Sequence, residues 1–564
     1  MKAYLKQTDL KIQNYPKRWP EYLAFFLYLL INLIVGYFHE PFFDEAIAWE
    51  ISRHSSLKDI LFYVPHYEGH PPLWHLILMP FAKLGAPYEA SLTMVSLIFT
   101  GTAMWILLFR SSFPRLVKLL LPFTFFLCYQ HSVISRPYCV MMLAFVLLAR
   151  IYHTKNVQPL RYVLCLCLLC ATSAYGIILA GSLTLVWLLE LWDGQSFKGF
   201  LTNIFSKKLF PSLLMLLAWA LLLIADIAPY PDTFLDAIPI TVHLPQRLLY
   251  TLLVLPADAT CIQVFYYNTL LRTTLLDPSV FASGCLLGAL ILGMMIFYAW
   301  RKGTLRLLLI PYCLFGIFAA SVYMNMHHMG IILFFLLFWL WVSTGTENVH
   351  TLPTPQSPES SRAQAYKWGR ILSVGVCAYM MIMSLWWTCY SCVGDILKPY
   401  SNGRSMAAFI KEYHLDNYQI MAAWTKWIVR GPNGEPLKLE DIHHSIVYPI
   451  LPYLKENIFC NGSFGMDGNY SIHKVPSADE IEQAFTRWRL EGAPDVLICE
   501  PDLKVLYGDS VSLDDYSPVY RQTYYRFWKS ENYCGTETIY VRKELLEELG
   551  LDALPEENDN PFVF

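Results

Sequence analysis

Apolar runs of the length that crosses a bilayer recur along the first two thirds of this chain, and nothing constrains its fold more. A membrane helix needs roughly 20 mostly apolar residues to cross about 30 Å of hydrocarbon, because lipid offers no partner to an unpaired backbone N–H or C=O. The first run covers about Tyr22 to Phe38, and others centre near residues 100, 124, 145, 168, 183, 219, 289, 313, 335 and 380. A run near residue 80, LWHLILMPFAKLG, is short and contains Pro80, which suits a segment lying along the interface. The expectation is an α-helical polytopic membrane protein of about eleven transmembrane helices. No small-residue cleavage site follows the first run, which reads as a retained anchor.

Charge distribution orients these helices. Residues 1–390 hold 26 Lys+Arg against 18 Asp+Glu, whereas residues 391–564 hold 16 against 27, so the two parts are built for different surroundings. With residues 1–21 as a cytoplasmic tail, the inner segments carry 20 Lys and Arg and the outer loops before residue 390 carry six, as cytoplasmic enrichment in basic residues requires. An odd number of crossings then brings residues 391–564 to the outside. The expected division is a cytoplasmic tail at 1–21, a membrane domain at 22–390 with its first outer loop at 39–72, and an extracytoplasmic domain at 391–564. The stretch TENVHTLPTPQSPESSRAQ reads as an exposed cytoplasmic linker. There is no internal repeat and no Gly-rich nucleotide loop; RGPNGEP reads as a turn. No cofactor, no metal and no nucleic-acid partner is expected.

From about Ser401 the pattern becomes that of a small α/β domain. SMAAFIKEYHL has helical spacing, YQIMAAW, DVLICEP, YRQTYYRFW and ETIYVRKEL have strand character, and an acidic helical tail follows. Cys460, Cys499 and Cys534 lie there; an outside location permits a disulfide, including one to Cys389 or Cys392, and free thiols fit equally well.

Candidate chemistry concentrates in the first outer loop, HEPFFDEAIAWEISRHSSLKDILFYVPHYEGHPPLW. Pro41 stops the first helix, and Asp44 lies six residues past Phe38, so it sits within about 20 Å of the membrane boundary. Two readings of Asp44 stand open. It caps a helix whose Ile47 and Ile51 face lipid, with Glu45 in its first turn, or it is a carboxylate held for catalysis. His66, Glu68 and His70 fall within five residues, and Pro71 and Pro72 fix the turn that follows. Gly69 interrupts the helical spacing that a His66–His70 metal pair would need.

FFDEAIAW, YEGHPPLWHLILMPFAKLG and ISRPYCVMMLAFVLLAR together resemble the opening of the C-type integral-membrane glycosyltransferases, the group of protein O-mannosyltransferases and lipid A aminoarabinose transferases. The resemblance covers about residues 20–190 and extends loosely to 390. It implies a polyprenyl-phosphate-linked sugar donor, transfer to an acceptor outside the membrane, Asp44 as the catalytic carboxylate and Glu45 as its support. His70 stands where relatives often carry Lys before Pro-Pro, at a position that touches the donor phosphate. A histidine is charged only part of the time near neutral pH.

Chemistry independent of the resemblance leads to the same residue types. Displacing phosphate from an anomeric carbon calls for a carboxylate on the incoming hydroxyl and cations on the leaving phosphate. Arg136 is the only Lys or Arg in the outer turn QHSVISRPY, where Pro137 and Tyr138 fix the backbone; snorkelling toward lipid phosphate is its other reading. His327 and His328, in MNMHHMG, either face the same cavity or cap a late span. The expected function is inverting sugar transfer with Asp44 as base. A transporter or flippase for a lipid-linked glycan is the alternative, against which stands the lack of two matching halves with interrupted helices.

Overall fold

Helix α1, Trp19–Phe38, ends three residues before Pro41, which has no N–H to continue it. The computed structural model describes residues 18–231, 244–261, 278–322, 324, 326–350, 361–422, 424–430, 436–444, 447–454, 456–460, 494–499, 515–527 and 533–555. After α1 come four shorter helices: α2 (Phe43–His54), α3 (Leu57–Phe62), α4 (Val64–Glu68) and α5 (Leu73–Lys83). The bundle continues with α6 (Tyr88–Arg110), α7 (Arg115–Leu120), α8 (Tyr138–Ile151), α9 (Pro159–Cys170), α10 (Ala174–Trp192), α11 (Phe197–Ile204) and α12 (Leu209–Asp226). Then follow α13 (Leu244–Leu249), α14 (Leu255–Cys261), α15 (Pro278–Lys302), α16 (Leu305–Ser321), α17 (Met329–Thr344) and α18 (Ser361–Leu397).

Among the described residues six helices are long and apolar enough to cross a membrane, within α1, α6, α10, α12, α15 and α18, and α8, α9, α16 and α17 are shorter apolar helices. Their outward faces are apolar too. Phe26 and Leu33 on α1, Leu214 and Leu221 on α12, and Val374 and Ile382 on α18 are exposed, at a cost in water of about 1.5–3 kcal/mol each. Lipid removes that cost, and the chain is a multi-pass helical membrane protein. The run near residue 124 is assembled from pieces: α7, a 3-10 turn at Leu121–Phe123 that contains Pro122, and a π-helical turn at Phe126–Gln130. The run near residue 80 is α5, whose 11 residues span about 16 Å, too short to cross.

The C-terminal part is a small α/β domain. Helix α19 (Gly403–Glu412) precedes β1 (Ile420–Ala422), the hairpin β2 (Trp424–Arg430) and β3 (Pro436–His444), then β4 (Val496–Cys499), β5 (Tyr516–Arg526) and β6 (Tyr533–Arg542). The main sheet has the order β1-β4-β6-β5, with β1 parallel to β4 and the other pairs antiparallel. Among the described residues the acidic tail contains the short helix α20 (Leu546–Leu549), ended by Gly550 at φ 65°. The strands β2 and β3 flank the RGPNGEP turn, whose residues 431–435 lie outside the described residues, as do 351–360 of the Pro/Ser-rich linker. Cys389 and Cys392 are free thiols, and the side chains of Cys499 and Cys534 lie outside the described residues.

Helix α2 is the layer between the two parts, and this is what positions the site. Ala46, Ala48 and Trp49 pack against Trp74 and Leu78 of α5 and Leu92 of α6. Ile47 and Ile51, expected to face lipid, are 2% and 0% exposed and belong instead to the core of the C-terminal domain with Ile410, Ile420 and Val496. Alternation alone cannot distinguish a lipid-facing from a protein-facing apolar stripe, since both are dry. Polar contacts also cross the junction: Glu40 accepts the Arg404 backbone N–H at 2.5 Å, and the Arg404 guanidinium reaches Glu89 at 2.8 Å.

Candidate active site

The backbone at the start of α2 decides which carboxylate does what. Phe42 is the residue before the helix, and its N–H is accepted by Glu45 Oε2 at 3.1 Å, so the capping role expected of Asp44 falls to Glu45. Glu45 is 1% exposed and also accepts the Ser135 N–H at 2.7 Å and faces His39 Nε2 at 3.2 Å. On its other side His39 Nδ1 meets Asp395 Oδ2 of α18 at 2.8 Å, and the Tyr129 hydroxyl donates to that same oxygen at 2.9 Å. Burial opposes a charge on His39, but the attraction of Asp395 and then of Glu45 raises its pKa to about 10. One buried imidazolium thus joins α1, α2, the turn before α8, and α18.

Asp44, one residue earlier, points the other way. Its carboxylate is 42% exposed and forms an ion pair with Arg136, whose side chain is 14% exposed. Against the cost of burying it, the charge of Asp44 raises the pKa of the Arg136 guanidinium further. Both residues line a cavity at the end of the bundle, together with Glu45, Tyr138 and His327. Phe42 and Tyr400 form its wall toward the C-terminal domain, where Arg526 of β5 lies 3.6 Å over the Phe42 ring.

The other residues singled out from the sequence divide into two groups. His70, His327 and His328 surround Tyr138, with ring centroids 6.4, 6.2 and 5.7 Å from it, and the Arg136 guanidinium lies 5.9 Å from that same ring. Burial, then the charge of Arg136, pushes His327 well below its ordinary range; burial, then His327, does the same to His328. Glu68 is raised to about 8 by burial and then by Asp44, with Arg136 opposing, and its buried Oε1 has no hydrogen-bond partner among the described residues. His66 is carried away from the cavity: its Nδ1 lies 2.6 Å from the Ala228 carbonyl and its ring stacks on Tyr230 at 4.1 Å.

Some cavity residues carry no mark in the sequence. Gln130 and His131 line it from the turn before α8, and Tyr400 from the segment after α18. QHSVISRPY contains the first two, but nothing in its spacing distinguishes a cavity histidine from a packed one; Tyr400 is 270 residues from Gln130 and only the fold joins them. Among the described residues no group of three or more His, Cys, Asp or Glu converges to hold a metal ion. The arrangement provides one carboxylate in reach of solvent, paired with one guanidinium, and a wall of neutral imidazoles and aromatic rings. That suits an uncharged hydroxylated group beside an anion.

Comparison with protein-family models and with curated protein sequences gives no match. Among solved structures, the chain is similar to the crystal structure of ArnT from Cupriavidus metallidurans bound to undecaprenyl phosphate, at 13% identity and a TM-score of 0.45, over 95% of this chain and 99% of that one.

Proposed function

We propose that this protein is a membrane glycosyltransferase that moves a sugar from a polyprenyl-phosphate-linked donor to an acceptor hydroxyl at the outer face of the membrane, with inversion. The observation that carries the reading is the Asp44–Arg136 ion pair in the wall of one cavity, drawn from two segments 92 residues apart. The donor's phosphate competes with Asp44 for the Arg136 guanidinium. The carboxylate so released takes the proton of the acceptor hydroxyl as its oxygen forms the bond to the anomeric carbon. The electron pair of the breaking C–O bond goes to the phosphate oxygen, where Arg136 meets the new charge. Tyr138 and His327 bound the space left for the sugar, His70 supports Arg136 on the departing phosphate, and Glu45 holds the start of α2 so that Asp44 keeps its direction.

In this reading the N-terminus is cytoplasmic and residues 391–564 are extracytoplasmic, in keeping with the basic bias of the opposite loops. The partners are the polyprenyl-phosphate sugar, membrane lipids, and a glycan, lipid or protein acceptor. The test incubates purified protein with radiolabelled undecaprenyl-phosphate sugars and membranes, comparing wild type with Asp44→Asn. Loss of roughly 10²–10⁴-fold in transfer is expected, the range of a positioned acid–base group; equal transfer by both overturns the proposal.

A further inference from the structure

His131 lines the same cavity as Asp44 and Arg136 and is 1% exposed. Phe126 stacks on its ring at 5.7 Å and 21°, and Phe334 meets it edge-on at 5.1 Å. The Nε2–Cδ2 edge is pressed against α17 at Gly330, where an added Cβ would fall 2.2 Å from Nε2 and 2.6 Å from Cδ2. In a five-membered ring the vertex opposite that edge is Nδ1, which is therefore turned away from α17. Neither ring nitrogen has a hydrogen-bond partner among the described residues. A buried polar group in that condition is destabilising, so a histidine kept only for packing is a poor choice between two phenylalanines.

The surroundings indicate what Nδ1 meets. Arg136, from the same turn, and His327, from the turn before α17, line the cavity with His131, and His70, His328 and Arg526 stand around His327. Asp44 and Glu45 are the acids on α2, the first paired with Arg136 and the second committed to Phe42, Ser135 and His39. Glu68, raised to about 8, adds a carboxyl that is neutral at pH 7; donors and neutral groups therefore outnumber charged acceptors, which favours an anion. Burial, then the charge of Arg136, lowers His131 to about 3, so it meets a ligand as a neutral ring with one N–H to give.

We propose that the Nδ1–H of His131 donates to a non-bridging oxygen of the donor lipid's phosphate, with Arg136 on a second oxygen, which makes His131 a positioning residue for the leaving group. This rests on the glycosyl-transfer reading above. As the anomeric C–O bond breaks, its electron pair passes to the phosphate and the acceptor proton to Asp44. No proton leaves His131; its hydrogen bond strengthens as the phosphate gains charge.

The experiment titrates undecaprenyl phosphate into full-length protein in detergent micelles. His131→Asn keeps a donor N–H close to where Nδ1 stands, and His131→Asp has the same shape but only accepts. The Asn variant is expected within about threefold of wild type, and the Asp variant at least about tenfold weaker, from the strength of a hydrogen bond to a charged group. Wild-type affinity in the Asp variant overturns the inference. Should the Asp variant fail to fold, His131→Leu replaces it, with the same tenfold loss expected and undiminished binding again overturning the inference. Failure of the wild type itself to bind undecaprenyl phosphate overturns the glycosyl-transfer reading instead, and with it this one.

Discussion

Asp44 and Glu45 are adjacent on one helix, yet they belong to regions of opposite character. The cavity wall around Asp44 is half open, with a single ion pair that reaches solvent. The network behind it, Glu45–His39–Asp395–Tyr129, is sealed, and His39, Glu45 and Asp395 are at most 3% exposed. A charge in the first region can change partners at little cost because water covers it between contacts. A charge in the second cannot, because the energy that holds it comes from a fixed set of neighbours in a dry interior. Function is therefore expected where the electrostatics are loose, and rigidity where they are locked.

The largest effects separate these two regions outright. Asp44→Asn removes roughly 10²–10⁴-fold of sugar transfer while the melting temperature, followed by tryptophan fluorescence in detergent, stays within a few degrees of wild type. His39→Leu does the reverse in origin: it leaves Glu45 and Asp395 buried without their cation and lowers stability by about 3–5 kcal/mol, read as a marked fall in melting temperature. If both substitutions lowered melting temperature alike, the distinction between wall and network would collapse.

A pH series sharpens the same contrast. The pKa of His39 is raised from 6.5 to about 10 in the folded chain. Its contribution is therefore full below pH 6.5, where the unfolded chain is also protonated, and is lost as pH rises through about 10. The difference in melting temperature between wild type and His39→Gln should shrink steadily over that window. A difference that grew with pH would mean the ring is neutral in the folded protein.

The smallest expected effect lies at the domain junction. Arg404 and Glu89 form an ion pair with side chains 46% and 29% exposed, so Arg404→Ala should cost no more than about 1 kcal/mol, further reduced by salt. A larger loss, measured by chemical denaturation of the C-terminal domain, would show that the junction is held by this contact and not by the apolar face of α2.

Much of the architecture is legible in the chain because lipid imposes a length rule. Helices α1, α6, α10, α12, α15 and α18 follow from apolar runs alone, and β4, β5 and β6 from short runs of strand character. The direction of α2 is not legible: Ile47 and Ile51 face another domain's core rather than lipid, and both settings demand the same residues. The candidate site divides similarly. Asp44, Arg136 and Tyr138 were identifiable because a carboxylate, a lone cation and a fixed turn occur at the ends of apolar runs. His66 belonged to the same cluster in sequence and points elsewhere, because Gly69, at φ 62°, ends α4 beyond it and the ring finds Ala228 and Tyr230.

By itself, then, the sequence determined that this chain is a helical membrane protein and where its longest apolar helices lie, since burial of apolar length acts locally. Only the tertiary structure decided that Asp44 meets Arg136 while Glu45 is consumed by His39, and that His131 and Tyr400 complete the chamber, with Arg526 behind its Phe42 wall. Apart from Glu45 and His39, six positions apart, those partnerships join residues tens to hundreds of positions apart, and packing, which sums over the whole fold, is what selects among them.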